Sequence, residues 1–222
     1  TLSDPIVDTP MVVTLDQLRP YEHHPRVTSN PAYAEIKASI RERGLDAPPA
    51  ITRRPGEAHY IIRNGGNTRL AILRELWSDT KEERFFRIAC LFRPWPARGE
   101  IVALTGHLAE NELRGGLTFI ERALGIEKAR EFYEQESGQA LSQSELARRL
   151  TADGYPVPQS HISRMNDAVR YLLPAIPTLL YGGLGRHQVD RLAVLRKACE
   201  RTWERRALGR PSAGLSAEAG HA

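Results

Sequence analysis

A pair of glycines followed by an arginine gives this chain one candidate binding site. Gly65 and Gly66 let the backbone approach a ligand closely, and the helix predicted after them presents free N–H groups to an anion. Arg69 lies in the first turn of that helix, where its guanidinium could pair with a phosphate through two hydrogen bonds. A tight structural turn explains the same residues, because an isolated Gly-Gly-helix junction is a weak signal.

A second set of polar residues has the types and spacing needed to read DNA bases. These residues lie on or near the first turns of a predicted helix: Gln159, Ser160, His161, Ser163 and Arg164. In a helix-turn-helix those turns enter the major groove, where side-chain donors and acceptors meet the base edges. Ser142 and Gln143, at the start of the preceding predicted helix, are further candidates for DNA contacts.

Two short helices and a turn would position this second set. Ser142 and Glu145 form a capping box, and Leu141 and Leu146 stand where a hydrophobic staple would fix the start of the first helix. The segment "TADGYP" supplies the turn. The second helix then has apolar residues at helical spacing: Ile162, Met165, Val169 and Leu172. The pattern predicts a helix-turn-helix, but two amphipathic helices of an ordinary helical domain would produce it too.

The charge distribution favours a nucleic acid as partner. Residues 138 to 210 contain 12 Lys and Arg against 6 Asp and Glu, a net charge of +6, and the whole chain carries +4, so the remainder sums to −2. The positive charge is therefore concentrated in and just after the predicted helix pair, as a phosphate-binding surface requires. A solvated basic helix would give the same excess.

Composition excludes several classes of protein. The chain has 222 residues, of which 41% are hydrophobic, which is enough for two small domains. No stretch approaches the ~18 apolar residues of a transmembrane helix. Cys90 and Cys199 match neither a metal-ligand spacing nor a disulfide framework, which fits a reducing compartment. We expect a cytoplasmic protein, associated with a nucleoid or plasmid and not with a membrane.

The fold class predicted from these patterns is α+β, with the helices concentrated in the second half. No proline falls between Pro96 and Pro156, which predicts a helical region there. Before that interval, strand-like runs alternate with helix-like ones. We therefore expect the following division: an N-terminal extension over 1–11, a small mixed α+β domain over 12–96, connecting helices over 97–137, an all-α helix-turn-helix region over 138–208, and a linker or tail over 209–222.

Individual elements follow from local signals. Asn30 and Pro31 predict the start of a helix that ends at Gly44, with Ala32, Ile36 and Ile40 buried. "AIT" and "HYIIRN" predict two strands joined by a Pro-Gly turn, and "FRIACLF" predicts a buried strand. Thr118 and Glu121 form another capping box. Two further expectations concern side chains: Glu121, Arg122, Glu127 and Arg130 form an exposed charged face, and the last helix has Val189, Leu192, Leu195 and Cys199 inside.

The order of these motifs resembles that of the ParB family of DNA-partition proteins over roughly residues 12 to 200. In "HHPR", Pro25 and Arg26 match the first box of the family, and Gly66 and Arg69 of "GGNTRLAIL" match its Gly-Glu-Arg-Arg box. The third box, Glu-Asn-x-x-Arg, is matched by Glu110, Asn111 and Arg114. The helix-turn-helix and the "LLP" of residues 172–174 follow in the family's order.

The resemblance implies a fold, a nucleotide and a partner. The first domain would have the ParB fold, which sulfiredoxin shares, and would bind CTP with Mg²⁺. Nucleotide contacts are implied for Arg26, Gly65, Gly66, Asn67, Thr68 and Arg69, and metal contacts for Glu110 and Asn111. It also implies a homodimer that closes as a clamp around double-stranded DNA, slow CTP hydrolysis, and a partition ATPase as a further partner.

The chain departs from the family pattern at the nucleotide site. Asn67 and Thr68 stand where the family has Glu and Arg, Ala71 replaces the last Arg of that box, and Leu113 replaces the usual Gln of the third box. The loss of two cations should weaken triphosphate binding, since each charge-assisted hydrogen bond contributes about 1.5–3 kcal/mol. The pocket should lie between Gly66–Arg69 and Glu110–Asn111, with Arg26 on one side.

Three functions follow from these observations. The first is a ParB-like DNA-binding protein acting in the partition or maintenance of a chromosome, plasmid or integrative element, with CTP as a switch. The alternative is a DNA-binding regulator or accessory protein of a mobile element with a non-functional nucleotide pocket, which the altered glycine box favours. The third, an enzyme such as a nuclease or kinase, lacks support because the chain has no paired-carboxylate or His-Asp constellation and no Cys at the Gly-Gly junction.

Overall fold

A five-stranded mixed sheet forms the first half of the chain. The computed structural model describes residues 3–24, 26–114 and 116–208. The strands are β1 (Thr9–Thr14), β2 (Leu18–Arg19), β3 (Ala50–Thr52), β4 (Tyr60–Ile62) and β5 (Arg87–Phe92), in the order β1-β5-β3-β4-β2. β5 runs antiparallel to β1 and parallel to β3, whereas β4 runs antiparallel to β3 and parallel to β2.

The strands predicted from "AIT", "HYIIRN" and "FRIACLF" are confirmed as β3, β4 and β5. β3 and β4 pair as predicted, with Ile51 opposite Ile62. The first strand differs from the prediction, because β1 begins at Thr9, inside the segment expected to be an extension. A 3₁₀ turn over Leu15–Gln17 then separates β1 from β2.

Helices make up most of the rest of the described chain. They are α1 (Tyr33–Arg43), α2 (Asn67–Thr80), α3 (Glu83–Phe86), α4 (Glu100–Leu113), α5 (Phe119–Ser137), α6 (Gln143–Ala152), α7 (Gln159–Asp167), α8 (Pro177–Tyr181) and α9 (Arg186–Leu208). No strand occurs after Phe92 within the described ranges, so the predicted α+β class with a helical second half is confirmed. None of these helices is long and apolar enough to cross a bilayer.

The core of the first half lies between α2 and the sheet. On the side of α2, Leu70, Leu73 and Leu76 are all buried in this core. Cys90 is buried in the same cluster, and this burial raises the pKa of its thiol to about 12, as expected of a packing residue.

α1 begins later than its start signals predict. Asn30 Oδ1 accepts a hydrogen bond of 2.9 Å from the N–H of Ala32, and the helix starts at Tyr33 and ends before Gly44 as predicted. Only Ile40 of the expected stripe is fully buried, because Ile36 lines a cavity described below.

α5 connects the two halves by packing on both α4 and α7. Its predicted capping box is confirmed: Thr118 Oγ1 accepts from the N–H of Glu121, whose carboxylate accepts from the N–H of Thr118. The box predicted for α6 is only half formed. Ser142 caps the helix, but the Glu145 carboxylate binds two arginines of its own helix.

A π-helical turn over Ala168–Leu172 follows α7 and shifts the buried face of the second predicted helix. The N–H of Leu173 donates to the carbonyl of Ala168 at 2.8 Å, an i→i+5 bond that widens the turn. Ala168 is therefore fully buried, whereas Val169, predicted to be inside, is only half-buried.

The chain divides after Leu184 into two compact units, and α9 is the described part of the second. Two of the residues predicted to lie inside this helix are exposed, Leu195 and Cys199. The predicted tail beyond residue 208 lies outside the described residues, as does Pro25 of the first box.

Candidate functional site

The loop between β4 and α2 takes an unusual backbone path. Asn64, Gly65 and Gly66 have φ angles of 53°, 78° and 116°, so three consecutive residues lie in the left-handed region that favours glycine. α4 approaches this loop so closely that a Cβ at Gly106 would lie 2.4 Å from Asn64 Oδ1. The Gly-Gly pair therefore serves a tight turn against α4.

His107 of α4 fixes this loop. The N–H of Gly65 donates to its Nδ1 at 3.1 Å, and its Nε2 donates to the carbonyl of Ile62 at 3.3 Å. The ring stacks on Tyr21 with 4.3 Å between ring centroids. Burial, together with the nearby His24, lowers the pKa of His107 to about 3, so the ring is neutral. His107 is not among the residues predicted from the sequence, although its place in the apolar pattern of α4 marks it as buried.

Asn67 is engaged with the chain itself. Its Nδ2 donates to the carbonyl of Tyr21, and its Oδ1 accepts from the N–H of Tyr21, both at 3.0 Å. The side chain thus holds the segment of the first box against the start of α2. No side chain caps α2, because its N-cap is Gly66. The N–H groups of its first turn remain available to an anion.

Glu121 anchors the segment that carries Arg26. One carboxylate oxygen accepts hydrogen bonds from the N–H of Val27 and from the N–H and hydroxyl of Thr28, at 2.8–2.9 Å. Burial would raise the pKa of Glu121, but the hydrogen bonds from Thr28, Thr118 and Val27 outweigh it and the pKa is lowered. The prediction that Glu121 belongs to an exposed charged face is wrong, because its carboxylate accepts hydrogen bonds from these internal donors instead of from water.

Arg26 lies close to Gly116. A Cβ at Gly116 would be 2.4 Å from Nη2 of Arg26, so a side chain there would displace the guanidinium. His24 Nδ1 accepts a hydrogen bond of 3.1 Å from the backbone N–H of Arg26. Burial and the adjacent Arg26 lower the pKa of His24 to about 4, so this ring is neutral near pH 7.

Arg69 is a half-buried cation held by a backbone carbonyl. Its Nη1 donates to the carbonyl of Ala47 at 3.2 Å. Burial and then the charge of Arg114 lower its pKa, and within the described ranges no carboxylate lies within ion-pair distance of it. A guanidinium in this setting would gain from a bound anion.

The two residues of the Glu-Asn pair differ in environment. Glu110 forms an ion pair of 2.5 Å with Arg114. Asn111 is only 9% exposed, and its Nδ2 donates to the carbonyl of His107 at 2.7 Å and lies 3.1 Å from His24 Nε2. The Asn111 side chain is therefore turned into the protein, where its Nδ2 satisfies the buried carbonyl of His107.

These segments surround one cavity of about 1100 Å³. It is lined by every residue predicted to contact nucleotide or metal: Arg26, Gly65, Gly66, Asn67, Thr68, Arg69, Glu110 and Asn111. Arg114 also lines it, as do Tyr33, Ile36 and Ala71 on the side of α1 and α2. The cavity thus combines an uncapped helix start, guanidinium groups and oxygen donors.

The donors for a metal are few but of the right chemistry. Glu110 and Asn111 supply hard oxygen atoms, and Mg²⁺ is commonly held by one or two such protein ligands together with substrate phosphates. Throughout the described residues, no group of three or more His, Cys, Asp and Glu could hold a metal by itself. The residues fit a Mg²⁺ ion that arrives with a phosphate ligand.

The residues predicted to read DNA lie at or near the starts of α6 and α7. Gln159 and Ser160 are exposed on the first turn of α7, and His161, Ser163 and Arg164 are partly exposed next to them. Gln143 is half-exposed at the start of α6, whereas the Ser142 hydroxyl is used as the N-cap.

Side-chain hydrogen bonds link the turn between α6 and α7 to the rest of the first unit. Asp153 accepts hydrogen bonds of 2.6 Å from Tyr133 of α5 and from Arg98, which precedes α4. Tyr155 is buried, and its hydroxyl lies 3.2 Å from Nε of Arg122, which forms a 2.8 Å ion pair with Glu112 of α4. Both ends of α4 are therefore linked to this turn.

The positive charge of the segment 138–210 is unevenly distributed. Residues 138–184, which contain α6 and α7, have 4 Lys and Arg against 3 Asp and Glu. Arg148 and Arg149 both bind Glu145, at 2.7 and 3.0 Å. α9 alone has 7 basic residues against 3 acidic ones. The excess predicted in and just after the helix pair therefore belongs mainly to α9, which follows the pair.

Comparison with known proteins shows the fold. No family model and no curated protein matches the chain. Among solved structures, the C2221 form of a Pnob8-like ParB-N domain matches with a TM-score of 0.62 and 17% identity, covering 90% of this chain and 84% of that one. A pNOB8-like ParB N-domain matches with a TM-score of 0.53 and 18% identity, covering 78% of this chain and 70% of that one.

A more distant match is a C-terminally truncated chromosome-partitioning protein ParB from Caulobacter crescentus, complexed with CTP-γ-S. Its TM-score is 0.39 with 19% identity, over 84% of this chain and 92% of that one, and a score this low supports no argument. The two better matches show that this chain has the fold of the ParB N-domains.

Proposed function

We propose that this chain is a ParB-like DNA-binding protein whose cavity binds CTP together with Mg²⁺. It would act in the partition or maintenance of a chromosome, plasmid or integrative element, as a homodimer in the cytoplasm and with a partition ATPase as a further partner. The proposal combines the ParB N-domain fold with the motif resemblance and the contents of the cavity.

One observation carries the proposal. Segments that are far apart in the sequence and that resemble three separate ParB boxes converge on the same cavity, which is lined by Arg26, by Gly66 and Arg69, and by Glu110 and Asn111. A coincidental match of short motifs has no reason to bring them together. Their convergence is what a shared ligand requires.

Each residue has a chemical role in this proposal. The first-turn N–H groups of α2 and the guanidinium of Arg69 would bind phosphate oxygens, and Arg26 would approach them from the other side. Glu110 and Asn111 would hold Mg²⁺, which neutralises phosphate charge when it is bound. Hydrolysis of CTP would be slow, as the resemblance implies.

A second function is favoured by a specific observation. The side-chain amide of Asn67 is hydrogen-bonded to Tyr21 and contributes no charge to the cavity, and Ala71 contributes no cation either. A DNA-binding regulator that keeps the fold with a non-functional nucleotide pocket would show these features.

Calorimetric titration separates the two functions. CTP would be titrated into the full chain with and without Mg²⁺, with ATP and GTP as comparison ligands. We expect Mg²⁺-dependent CTP binding; heats at the level of buffer dilution for all three nucleotides would assign the chain to the second function. In both cases, mobility-shift titrations at low salt should show binding of duplex DNA. If DNA does not bind, both functions are wrong.

A further inference from the structure

The charge of α9 is distinct from that of the helix pair that precedes it. The net charge of this helix is +4 over 23 residues, whereas residues 138–184 carry +1. An α6–α7 pair with so little net charge can supply hydrogen bonds to bases but little electrostatic attraction to a polyanion. Affinity for a phosphate backbone depends on that attraction.

Most of the cations of α9 have no acidic partner. Arg186 lies 4.0 Å from Asp190, and Arg196 lies 3.0 Å from Glu200. The other five are exposed, and within the described part of the chain no carboxylate lies within ion-pair distance of them: Arg191, Lys197, Arg201, Arg205 and Arg206. Their charges are available to an external anion.

Three of these cations form a row. Lys197, Arg201 and Arg205 are spaced four residues apart, which places them on one side of the helix about 6 Å from each other along its axis. We call these three residues the charge row. A straight row of cations matches a line of phosphates better than it matches a single small anion.

The apolar residues of α9 argue against a membrane surface as the partner. Val194, Leu195, Trp203 and Leu208 are exposed, but at 3.6 residues per turn their directions cover more than half of the helix circumference. A helix that lies on a bilayer needs one continuous apolar face opposite its charges. α9 has no such face.

We propose that α9 binds the phosphate backbone of duplex DNA through the charge row. α7 would then read bases, and α9 would supply affinity that is independent of sequence and sensitive to salt. This proposal rests on the DNA-binding function proposed above and adds a second contact surface to it.

The test is a comparison of salt dependence. The substitutions Lys197→Gln, Arg201→Gln and Arg205→Gln would be made together in the full chain, because Gln keeps the helix propensity of Lys and Arg. The control is Arg43→Gln, Arg84→Gln and Arg87→Gln, which removes the same net charge from exposed positions of the first unit. Binding of a fluorescent 30-base-pair duplex of arbitrary sequence would be followed by anisotropy from 50 to 200 mM NaCl.

The expected result is specific to the charge row. Each phosphate contact contributes about 0.9 to the slope of log affinity against log salt, so losing three should lower the slope by about 2.7. Over a fourfold rise in salt, the wild-type chain and the control should lose about 40-fold more affinity than the charge-row variant. Circular dichroism should show unchanged helix content.

Each other outcome overturns a different claim. If the wild-type chain binds DNA and both variants keep its slope, α9 is not a DNA contact, while the DNA-binding function stands. If the charge-row variant loses binding only to vesicles containing anionic lipid, the partner of α9 is a membrane surface and the proposal is wrong. If the wild-type chain binds no duplex at 50 mM NaCl, the DNA-binding function itself fails.

Discussion

At the scale of single residues, the polar groups around the cavity divide into those that hold the protein together and those left for a ligand. Asn67 uses both ends of its amide on the backbone of Tyr21, and Asn111 uses its Nδ2 on the carbonyl of His107. Arg69, by contrast, has a backbone carbonyl as its one hydrogen-bond partner among the residues that the structure describes. A substitution of Asn111 would therefore disturb the buried structure as well as a ligand, so the arginine is the better probe.

Arg69→Ala should abolish CTP binding, with little effect on folding. The substitution removes a guanidinium whose one hydrogen bond to the described residues is to the carbonyl of Ala47, while a charge-assisted bond to a phosphate contributes about 1.5–3 kcal/mol. Calorimetry with CTP and Mg²⁺ measures the loss, and thermal unfolding verifies the fold. Arg87→Ala, on the exposed surface away from the cavity, serves as the control. Unchanged CTP affinity in the Arg69 variant would show that the pocket assignment is wrong.

His107 predicts a pH dependence of stability. Its pKa is about 3 in the folded chain, below the ordinary value of 6.5, so the unfolded chain binds a proton first as the pH falls. The stabilisation is fully present above pH 6.5 and is lost as the pH falls toward 3. Between pH 6 and 5, His107 should contribute a slope of about 1.4 kcal/mol per pH unit, and His24 a similar one toward its pKa of about 4.

His107→Gln should remove one of these two contributions, because a neutral amide can keep the contacts to Gly65 and Ile62 without binding a proton. Urea unfolding at pH 5 and pH 6 measures the difference. A variant whose stability falls with pH as steeply as the wild type would show that His107 is not a buried neutral group.

The sequence predicted the residues of the cavity better than it predicted what supports them. Glycine and arginine have chemistry that can be read locally, and the motif order brought Arg26 and Glu110 into the same prediction. The supporting contacts join residues far apart in sequence, such as Gly65 with His107 and Val27 with Glu121. In the sequence, Glu121 next to Arg122 has the pattern of a solvated helix face. Only the fold shows that Val27 and Thr28 lie next to its carboxylate.

At the scale of elements, the segment 26–28 depends on α5 for its position. Glu121→Gln should destabilise the chain by about 1.5–3 kcal/mol, since a neutral amide accepts less strongly and presents a donor to one of the N–H groups that the carboxylate binds. Urea unfolding measures the loss. Hydrogen exchange of Val27 and Thr28 should accelerate more than that of α2, whereas Glu131→Gln, on the exposed part of α5, should change neither. Equal protection of the segment in the Glu121 variant would contradict the anchoring role.

The helix α7 carries a prediction about sequence specificity. Gln159→Ala and Arg164→Ala should each relax the preference at one base pair and cost about 1–3 kcal/mol of specific binding. Selection of bound duplexes from a random pool, followed by affinity measurements, tests both changes. A uniform loss across all sequences would indicate backbone contacts, and an unchanged preference would remove α7 as the reading helix.

At the scale of the whole molecule, the described residues of the first unit do not divide into two parts at the predicted boundary near residue 96. α4 is joined to the turn at Asp153 and Tyr155 from both of its ends, and the first compact unit extends to Leu184. The proline-free interval correctly predicted where helices begin, since helix and strand content is a local property. It could not predict that the sheet-containing part and the helical part form one unit. That depends on side chains such as Arg98, which contact residues far away in the sequence.

This arrangement predicts one cooperative transition for the first unit. Hydrogen exchange near the urea midpoint should show β5 and α6 opening together. Asp153→Ala should lower the stability reported by both elements equally, because it breaks the bonds to Arg98 and Tyr133. Exchange of α6 at a lower urea concentration than β5 would show two independent domains, as the sequence alone suggested.

The hydrogen bonds of Asn67 to Tyr21 and of Glu121 to Val27 and Thr28 have a thermodynamic consequence for whatever enters the cavity. They immobilise both sides of its rim during folding, so the conformational entropy of those segments is lost before a ligand arrives. A ligand then meets a preorganised site and spends little of its interaction energy on ordering the chain. The absence of two family cations would weaken the attraction, while this rigidity offsets part of that loss through the entropy of binding.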